Sequence, residues 1–513
     1  MRELVPYFIG GESRYRFPMR TAISEIDNLN HYQSTFPLGD LTIPFHYEKL
    51  ETLQSEVIKT NLKWSRFRGD EGTVNSNRVN GFIETLLIMI RNKVLLGGGS
   101  LQRTRIVWFY PSSMSTNQVN QFRRIWNRLY KKYIHAEGEP IDFSESEVPF
   151  YNHPPSLVKS QRYPVINIDI GGGTTDIVMF EKDQPKFLTS IKFAGNAVFG
   201  DGYRNDISAE NGFIKTFKPR VQTFLQHNQH ELNSLKNVFE QLSAPGRSSS
   251  ADLMAFFFSL EGNKDLEDKN LSFPFSDEVA SHEEFNIIFI IFYGAIIYHI
   301  AKIMKKLGCE MPRNICLSGN GSKIVKLLDA SSKLKSVEKL SRMIFEKVYN
   351  AEYHAEGLTM VQGEKPKEAT CKGGIRKLID NKLSEEYDRI VLLGDSDNTV
   401  INHSPNYYER SSLKYQEVTD LIKASAIQET SQFIDMVLDL HKDFDFEDNF
   451  GVAPSNLAVY RRELKRDIED SMERGLIQRL DLSDQDKNVE ETLFFYPLIA
   501  SMYHLSQVIA EKT

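Results

Sequence analysis

The chain has 513 residues, of which 41% are hydrophobic, so it can form about three domains and bury a substantial core. Its formal net charge of -7, with no long basic run, argues against bulk attraction to nucleic acid or to an anionic membrane. The three cysteines show neither CxxC nor metal-ligand spacing, which favours a reducing compartment over a disulfide framework, and we expect a cytoplasmic protein.

The first predicted elements follow an irregular segment over residues 1–64. Apolar residues recur at helical spacing over 78–94, which predicts a helix. A dense apolar run, RIVWFY over 105–110, predicts a short strand that ends at Pro111, and residues 116–133 predict a helix with one basic face. Strands and helices therefore already alternate in this part of the chain.

A glycine-rich hairpin is predicted next. Residues 165–170 form an apolar strand that three glycines close, and residues 177–180 form the strand that returns. The chain from 203 to 274 is polar and predicts helices.

The run FNIIFIIFYGAIIYHI over 285–300 is almost wholly apolar. A membrane-spanning helix needs about 20 such residues, and this run is shorter and contains an asparagine and a histidine. Ser281 and Glu284 have the spacing of a capping box that would open a helix here. We expect a buried helix packed on a sheet and no membrane span, with an interfacial or membrane role as the alternative.

Further strands are predicted over 314–317 and 389–395, with helices between them from about Ser322. The remainder from about Ser411 is charged and mainly helical, and two interpretations of it stay open, a docking module and an autonomous helical bundle. Alternating strands and helices predict an α/β fold class.

The most informative stretch is DIGGGTTD, from Asp169 to Asp176. Three glycines allow a tight turn and bring backbone N–H groups close to phosphate oxygens, and Thr174 and Thr175 can add hydroxyl donors. The two aspartates would repel a phosphate, so they make chemical sense with a cation such as Mg²⁺ between them and the phosphate.

Other glycine motifs fit this stretch less well. It is not a Walker A loop, because no GxxxxGK[ST] occurs, and a dinucleotide fingerprint would be followed by a helix rather than a strand. A simple glycine-rich turn is the structural alternative, but it would need neither flanking acids nor paired threonines. GDSDN over 394–398 is incomplete as a calcium loop and predicts a turn.

DIGGGTTD resembles the second phosphate loop of the superfamily that comprises actin, heat-shock-chaperone ATPases and sugar kinases. RIVWFYPSS and the helix after it resemble the strand, proline and helix that precede that family's interdomain crossing, and the SESE sequence over 144–147 resembles the crossing itself. The family places an acidic or amide residue near the attacking water there, and the register points to Glu145, with Glu147 as the weaker choice.

Two later segments complete the resemblance. NICLSGNGSKIVKLL, over 314–328, resembles the adenosine loop, and KPKEATCKGGI, over 365–375, resembles the helix that crosses back to the first lobe. The four segments occur in the family's order across roughly residues 15–380. The residues that the resemblance places under ribose and adenine are Gly319, Asn320, Gly321 and Ser322.

The resemblance implies an α/β, two-lobed actin-like ATPase fold of ribonuclease H-like type with a helical C-terminal extension. The implied domains are a first lobe over 1–164, a second lobe over 165–357 with a helical insertion near 203–280, a helix over 358–385 that returns to the first lobe, and a mainly helical region over 386–513.

The implied ligands are ATP or ADP and Mg²⁺, and the implied activity is Mg-dependent ATP hydrolysis that drives a conformational switch. Asp169 would hold the metal through water, and Asp176 would support its water shell. Thr174, Thr175 and the amides of Gly171, Gly172 and Gly173 would bind the β- and γ-phosphates. Glu145 would orient the attacking water. Gly200-Asp201 resembles the family's turn after the hairpin and is a weaker candidate for nucleotide contact.

Two departures limit these expectations. The family's first phosphate loop, an Asp-x-Gly-Thr/Ser hairpin, is not found, since no aspartate precedes Asp27; either the chain is a fragment or the loop is absent, and hydrolysis would then be in doubt. Asn320 stands where a second glycine is usual, and asparagine tolerates left-handed geometry.

Several functions therefore stay open. A non-catalytic scaffold that keeps the fold is the main alternative to the ATPase switch, and a filament-forming actin-like protein is another. A chaperone would need a β-rich domain downstream, where the sequence instead predicts helices, and no substrate-binding acid of a small-molecule kinase is identified. Partners are a nucleotide and either an unknown protein or further copies of the chain.

Overall fold

A computed structural model describes most of the chain. The described residues are 72–153, 162–379, 418–481 and 492–512, apart from positions 113, 115, 183, 205, 207–208, 330–333, 356 and 363–365, together with short pieces before residue 72 and residues 388–389. They form two compact units, one of Met1–Ser144, Gln222–Ser248 and Ala255–Pro274, the other of Glu145–Val221, Ser249–Met254 and Phe275–Thr513. The borders predicted for the lobes near 164 and 357 stay a prediction.

The first unit contains three small sheets and the helices that cover one of them. Its elements up to Ser144 are β1 (Met19–Thr21), β2 (Ile23–Ser24), β3 (Thr42–Pro44), β4 (Ile58–Lys59), α1 (Gly72–Leu96), β5 (Val107–Tyr110), α2 (Thr116–Tyr133) and β6 (Ile141–Ser144). Strands β5 and β6 run parallel, while β1 pairs with β3 and β2 with β4 in antiparallel fashion. The core lies where Trp108 of β5 stacks on Trp126 of α2, with ring centroids 5.8 Å apart.

The second unit is built around a six-stranded sheet. Its strands are β7 (Val165–Ile170), β8 (Thr175–Glu181), β9 (Gln184–Ile191), β10 (Asn314–Ser318), β11 (Thr359–Gln362) and β12 (Asp388–Arg389), in the order β11-β10-β7-β8-β9-β12. Strands β7, β8 and β9 form an antiparallel meander, β10 runs parallel to both β7 and β11, and β12 runs parallel to β9. The predicted glycine hairpin and the α/β class are therefore confirmed, whereas the two-lobed arrangement stays a prediction.

Helices make up most of the remaining described chain. They are α3 (Gly195–Phe199), α4 (Gly212–His227), α5 (Gln229–Leu242), α6 (Ser250–Leu260), α7 (Lys264–Glu267), α8 (Phe275–Ala280), α9 (Asn286–Lys306), α10 (Lys323–Leu328), α11 (Lys335–Tyr349), α12 (Pro366–Ile379), α13 (Asp420–Asp439), α14 (Phe446–Phe450), α15 (Pro454–Lys465), α16 (Ile468–Asp481) and α17 (Phe495–Ala510). The helices predicted over 203–274 and after residue 411 are confirmed wherever the structure describes these segments.

Helix α9 is the predicted buried helix, and almost all of its residues are buried. Within the described chain, the segment Glu283–Lys306 alone is long and apolar enough to cross a membrane, and 94% of its most apolar stretch is buried inside the protein. The predicted capping box is wrong, because a 3-10 turn over Glu283–Phe285 precedes the helix and the Ser281 hydroxyl donates to the carbonyl of Glu278. The amide of Asn286 instead donates to the carbonyl of Phe450.

The C-terminal helices complete the core of the second unit. Tyr298 of α9 packs on Phe433 of α13, with ring centroids 5.2 Å apart, and His299 packs edge-on against Phe495 of α17, at 5.1 Å. Gly294 of α9 faces α13, and a Cβ there would lie in ordinary van der Waals contact with Val437, at 3.4 Å. The described part of the tail is therefore an integral layer of this unit and not an autonomous bundle.

Candidate functional site

The glycine loop lies at the tip of the hairpin formed by β7 and β8. Asp169 and Asp176 are directly opposite each other in the antiparallel register, and the amide of Gly171 donates to the carbonyl of Thr174 at 2.8 Å to close the turn. Gly172 and Gly173 are exposed at the tip, whereas Asp176 is buried. Two carboxylates therefore flank a tight, exposed glycine turn.

Helix α3 supports this loop from one side. The amides of Gly195 and Asn196, at the start of α3, donate to the carbonyls of Gly171 and Gly172 at 3.2 and 2.7 Å. A Cβ placed on Gly173 would have no atom within 4 Å apart from its chain neighbours. The loop is thus held by its carbonyl groups while open space remains at its tip.

A second glycine loop follows β10, at the carboxyl end of the strand next to β7. Gly319 has a φ of +77°, which glycine adopts without strain, and a Cβ there would lie 2.5 Å from Oδ1 of Asp169. A Cβ on Gly321 would lie 2.5 Å from the carbonyl oxygen of Gly171. Glycine is required at both positions because the two loops are in direct contact.

The rest of this second loop is held from β11. Asn320 is exposed and does not adopt left-handed geometry, a role that falls to Gly319 alone in this loop. Ser322 is buried, and its hydroxyl donates to the carbonyl of Gly319 at 2.7 Å. Gln362, at the end of β11, donates through Nε2 to both oxygens of Ser322 at 3.1 Å.

Asp169 lies where the two loops meet. One of its carboxylate oxygens, Oδ2, accepts a hydrogen bond from the Ser318 hydroxyl at 3.0 Å. Sequence reasoning did not identify Ser318 or Gln362, although both are polar residues at the carboxyl ends of parallel strands, where ligands of open α/β sheets bind. For Ser318, the position directly after the strand predicted over 314–317 was a signal that the sequence offered; for Gln362 no strand was predicted from the sequence.

The acidic groups suit a hydrated cation better than a cage of protein ligands. Among the described residues, no group of three or more His, Cys, Asp and Glu side chains is placed to hold a metal ion. Mg²⁺ commonly takes only one or two carboxylates and completes its shell with water and phosphate oxygens. Like charges that face each other across a strand pair repel, and a divalent cation beside Asp169 and Asp176 would relieve that repulsion.

The two threonines of the loop are placed differently. Thr174 is half-buried in the turn, but Thr175 is buried, and its hydroxyl donates to the carbonyl of Phe193 at 2.7 Å. The hydroxyl hydrogen of Thr175 is therefore used within the fold. In the weaker candidate, Gly200-Asp201, the aspartate carboxylate accepts from the amide of Tyr203, which is a turn-stabilising contact.

The two glutamates of the segment over 144–152 have different surroundings. Glu147 is buried and forms an ion pair with the buried amine of Lys377 on α12, and it accepts a hydrogen bond from Tyr151. Burial lowers the pKa of Lys377, while Glu147 opposes that shift by stabilising the charged amine. Gly373 of α12 packs directly on the backbone at Val148, where a Cβ would overlap the carbonyl group.

Glu145 is half-buried in the turn after β6. The next residue, Ser146, accepts a hydrogen bond through its carbonyl from Nδ2 of Asn167 at 3.0 Å. Asn167 and Asp169 are two positions apart on β7 and so share a face of the sheet. The turn that carries Glu145 therefore lies against the face from which Asp169 projects.

The GDSDN turn predicted over 394–398 and most of the strand predicted over 389–395 fall on residues outside those that the structure describes.

Comparisons with known proteins give a distant likeness. No protein-family model matches the sequence, and neither does any curated protein. The chain is similar to MreB5 of Spiroplasma citri bound to ADP, with 12% identity over 71% of this chain and 90% of that chain and a TM-score of 0.31. It is similar to the same protein bound to AMPPNP, with 13% identity over 71% and 91% of the two chains and a TM-score of 0.31. Similarity at this level carries no argument about function, which must come from the geometry of the two loops.

Proposed function

We propose that this chain binds Mg-ATP at the junction of the two glycine loops and acts as a nucleotide-driven switch of the actin-like class. One observation carries the proposal: two glycine loops follow neighbouring parallel strands and touch each other around the carboxylate of Asp169. The carboxyl edge of an open α/β sheet is the usual place for a ligand, and exposed glycine amides suit phosphate oxygens.

In this proposal the two loops bind different parts of the nucleotide. The amides of Gly172 and Gly173, with Thr174, bind the β- and γ-phosphates, and Asn320 and Gly321 lie under the ribose and adenine. Asp169 holds Mg²⁺ through water, and Asp176 supports the water shell. Bound Mg²⁺ would neutralise phosphate charge, which is the main need of phosphoryl transfer.

We assign the orientation of the attacking water to Glu145 rather than to Glu147. Glu147 is committed to Lys377 inside the fold, whereas Glu145 is half-buried in a turn beside the face of β7 that carries Asp169. Support for hydrolysis therefore rests on Glu145, and support for binding rests on the loops. These two parts of the proposal can fail separately.

The binding proposal is tested by calorimetric titration of the full chain with ATP in the presence of Mg²⁺. Gly173→Leu is the most direct variant. A Cβ at this position would meet no atom within 4 Å, so the fold should tolerate the substitution, whereas the leucine side chain would occupy the space of the phosphates. We expect Gly173→Leu to abolish measurable binding with an unchanged melting temperature, and Asp169→Asn to weaken it at least about tenfold.

Gly173→Ala is the matched control, since a single methyl group leaves most of the space free, and it should bind more tightly than Gly173→Leu. Equal ATP affinity in wild type and Gly173→Leu would overturn the assignment of this loop. A wild-type chain that binds no nucleotide would favour the scaffold alternative.

A further inference from the structure

The end of β10 carries a buried hydroxyl, that of Ser318, which lies within hydrogen-bond distance of the Asp169 carboxylate in the proposed site. Ser318 is in register with Asp169 on the adjacent parallel strand, and its side chain is buried. The other side chains of β10 are buried as well. A buried hydroxyl costs free energy unless it is hydrogen-bonded, so its partner matters.

The Ser318 hydroxyl has two acceptors within reach. Oδ2 of Asp169 lies 3.0 Å from Oγ, and the carbonyl oxygen of Ile168 lies at 3.5 Å. A hydroxyl carries a single hydrogen, and a carboxylate is a stronger acceptor than a carbonyl. The hydrogen is therefore donated to Asp169.

The second oxygen of the same carboxylate is restricted by the backbone. Oδ1 of Asp169 lies so close to Gly319 that a Cβ at that residue would be 2.5 Å away. One oxygen is thus held by Ser318 and the other is bounded by Gly319. Together these contacts limit the carboxylate to a narrow range of orientations.

We propose that Ser318 is the positioning residue of the metal-binding carboxylate, holding Asp169 in the orientation that the water shell of Mg²⁺ requires. This inference rests on the proposed function and adds a residue that acts on the metal through Asp169. Carboxylates that serve metal ions are commonly held by such outer hydrogen bonds, whose loss lowers metal affinity about 10- to 100-fold.

A positioning role and a purely structural role differ in what they change. Loss of a structural hydroxyl lowers the stability of the fold and affects all ligands alike. Loss of a positioning hydroxyl changes the Mg²⁺ dependence of ATP binding, while binding of ATP without metal stays the same. The Mg²⁺ concentration for half-maximal enhancement of ATP binding is therefore the informative quantity.

The experiment measures ATP affinity calorimetrically over a range of Mg²⁺ concentrations and in EDTA. In Ser318→Ala we expect the half-maximal Mg²⁺ concentration to rise at least about tenfold, with affinity in EDTA within about twofold of wild type. Ser318→Thr keeps the hydroxyl and should restore the wild-type Mg²⁺ dependence. Ser341→Ala is the matched control, because Ser341 is a buried serine that bonds to Tyr293 and the carbonyl of Val337.

An unchanged Mg²⁺ dependence in a folded Ser318→Ala variant overturns the inference, and so does an equal change in Ser341→Ala. If Ser318→Ala does not fold, the measurement on Ser318→Thr and Asp169→Asn decides. Asp169→Asn retains an oxygen acceptor without charge, and wild-type Mg²⁺ dependence in that variant removes the reason for a positioning residue. Failure of the wild-type chain to bind ATP would instead be a failure of the proposed function.

Discussion

Glu145 and Glu147 are two positions apart and have opposite surroundings. Glu147 is buried against Lys377, and breaking a buried ion pair leaves an uncompensated charge. Glu145 lies half-buried in the turn after β6. Substituting each by its amide should therefore separate stability from catalysis.

We expect Glu147→Gln to lower the free energy of unfolding by roughly 3 kcal/mol. Glu145→Gln should lower that free energy by less than Glu147→Gln does, because Glu145 is only half-buried, and it should slow ATP hydrolysis about 100-fold or more, because a positioned acid–base group contributes that much. Denaturant unfolding and single-turnover hydrolysis measure the two effects. If Glu145→Gln hydrolyses ATP at the wild-type rate, Glu145 does not orient the attacking water.

At the scale of single residues, the sequence predicted features formed by neighbouring positions and missed hydrogen bonds between positions far apart in the chain. The glycine hairpin was predictable because its turn chemistry lies within eight successive residues, from Asp169 to Asp176. The bond from Ser318 to Asp169 spans 149 positions, and that from Lys377 to Glu147 spans 230, so no spacing in the sequence indicates either. Thr175 was expected among the phosphate ligands, but its hydroxyl donates to the carbonyl of Phe193. The sequence could not indicate this bond, because it depends on where β9 ends.

Helix α9 illustrates the same contrast at the scale of an element. Its existence and burial were predictable from the apolar run over 285–300, but its bounds were not. The helix continues to Lys306, and the Ser281 hydroxyl bonds within the preceding turn instead of capping the helix. Its partners could not be predicted either. A helix that is apolar all round gives no single face from which a neighbour could be inferred.

His299, in the middle of α9, gives this element a pH dependence. Burial lowers the pKa of its imidazole to about 3, since the charged form would be desolvated, and Nε2 has no hydrogen-bond partner among the described residues. In the unfolded chain the pKa is about 6.5. The unfolded state therefore binds more protons below that pH, and stability falls as the pH drops from about 6.5 towards 3.

We expect this histidine to cost the wild-type protein about 2 kcal/mol of unfolding free energy between pH 7 and pH 5. His299→Leu removes the titrating group at similar volume and should flatten that part of the pH profile. Denaturant unfolding at several pH values is the measurement. His230→Gln, at an exposed position, is the control and should keep the wild-type slope; an identical slope in His299→Leu would contradict the prediction.

At the scale of the whole molecule, the second unit depends on segments far apart in the chain. The C-terminal helices α13 and α17 cover α9 through Phe433 and Phe495, and α17 also reaches α3, where Phe495 packs on Phe193 just before that helix. The glycine loop is bonded to the start of α3. The tail is thus connected by contacts to the proposed phosphate site.

A chain that ends at residue 417 should therefore expose much of α9 and aggregate. We expect it in the insoluble fraction, or in large assemblies by sedimentation, and it should bind a hydrophobic dye strongly. Co-expression of residues 418–513 as a separate polypeptide should restore part of the soluble protein. A monodisperse truncated chain with unchanged circular dichroism would show that α13 and α17 are not needed to cover α9.

The burial of α9 under α17 also affects how the protein folds while it is being synthesised. Lys306 ends α9, and Phe495 begins α17, 189 residues later in the chain. At about 5–20 residues per second, a ribosome needs roughly 10–40 s to make the intervening chain. Once α9 has left the ribosome, this apolar segment is exposed for the rest of that interval, because its last covering helix does not yet exist. Correct folding therefore depends on the rate of translation and on what covers α9 until α17 is made. Slow translation between these two helices should increase aggregation or degradation of the nascent chain.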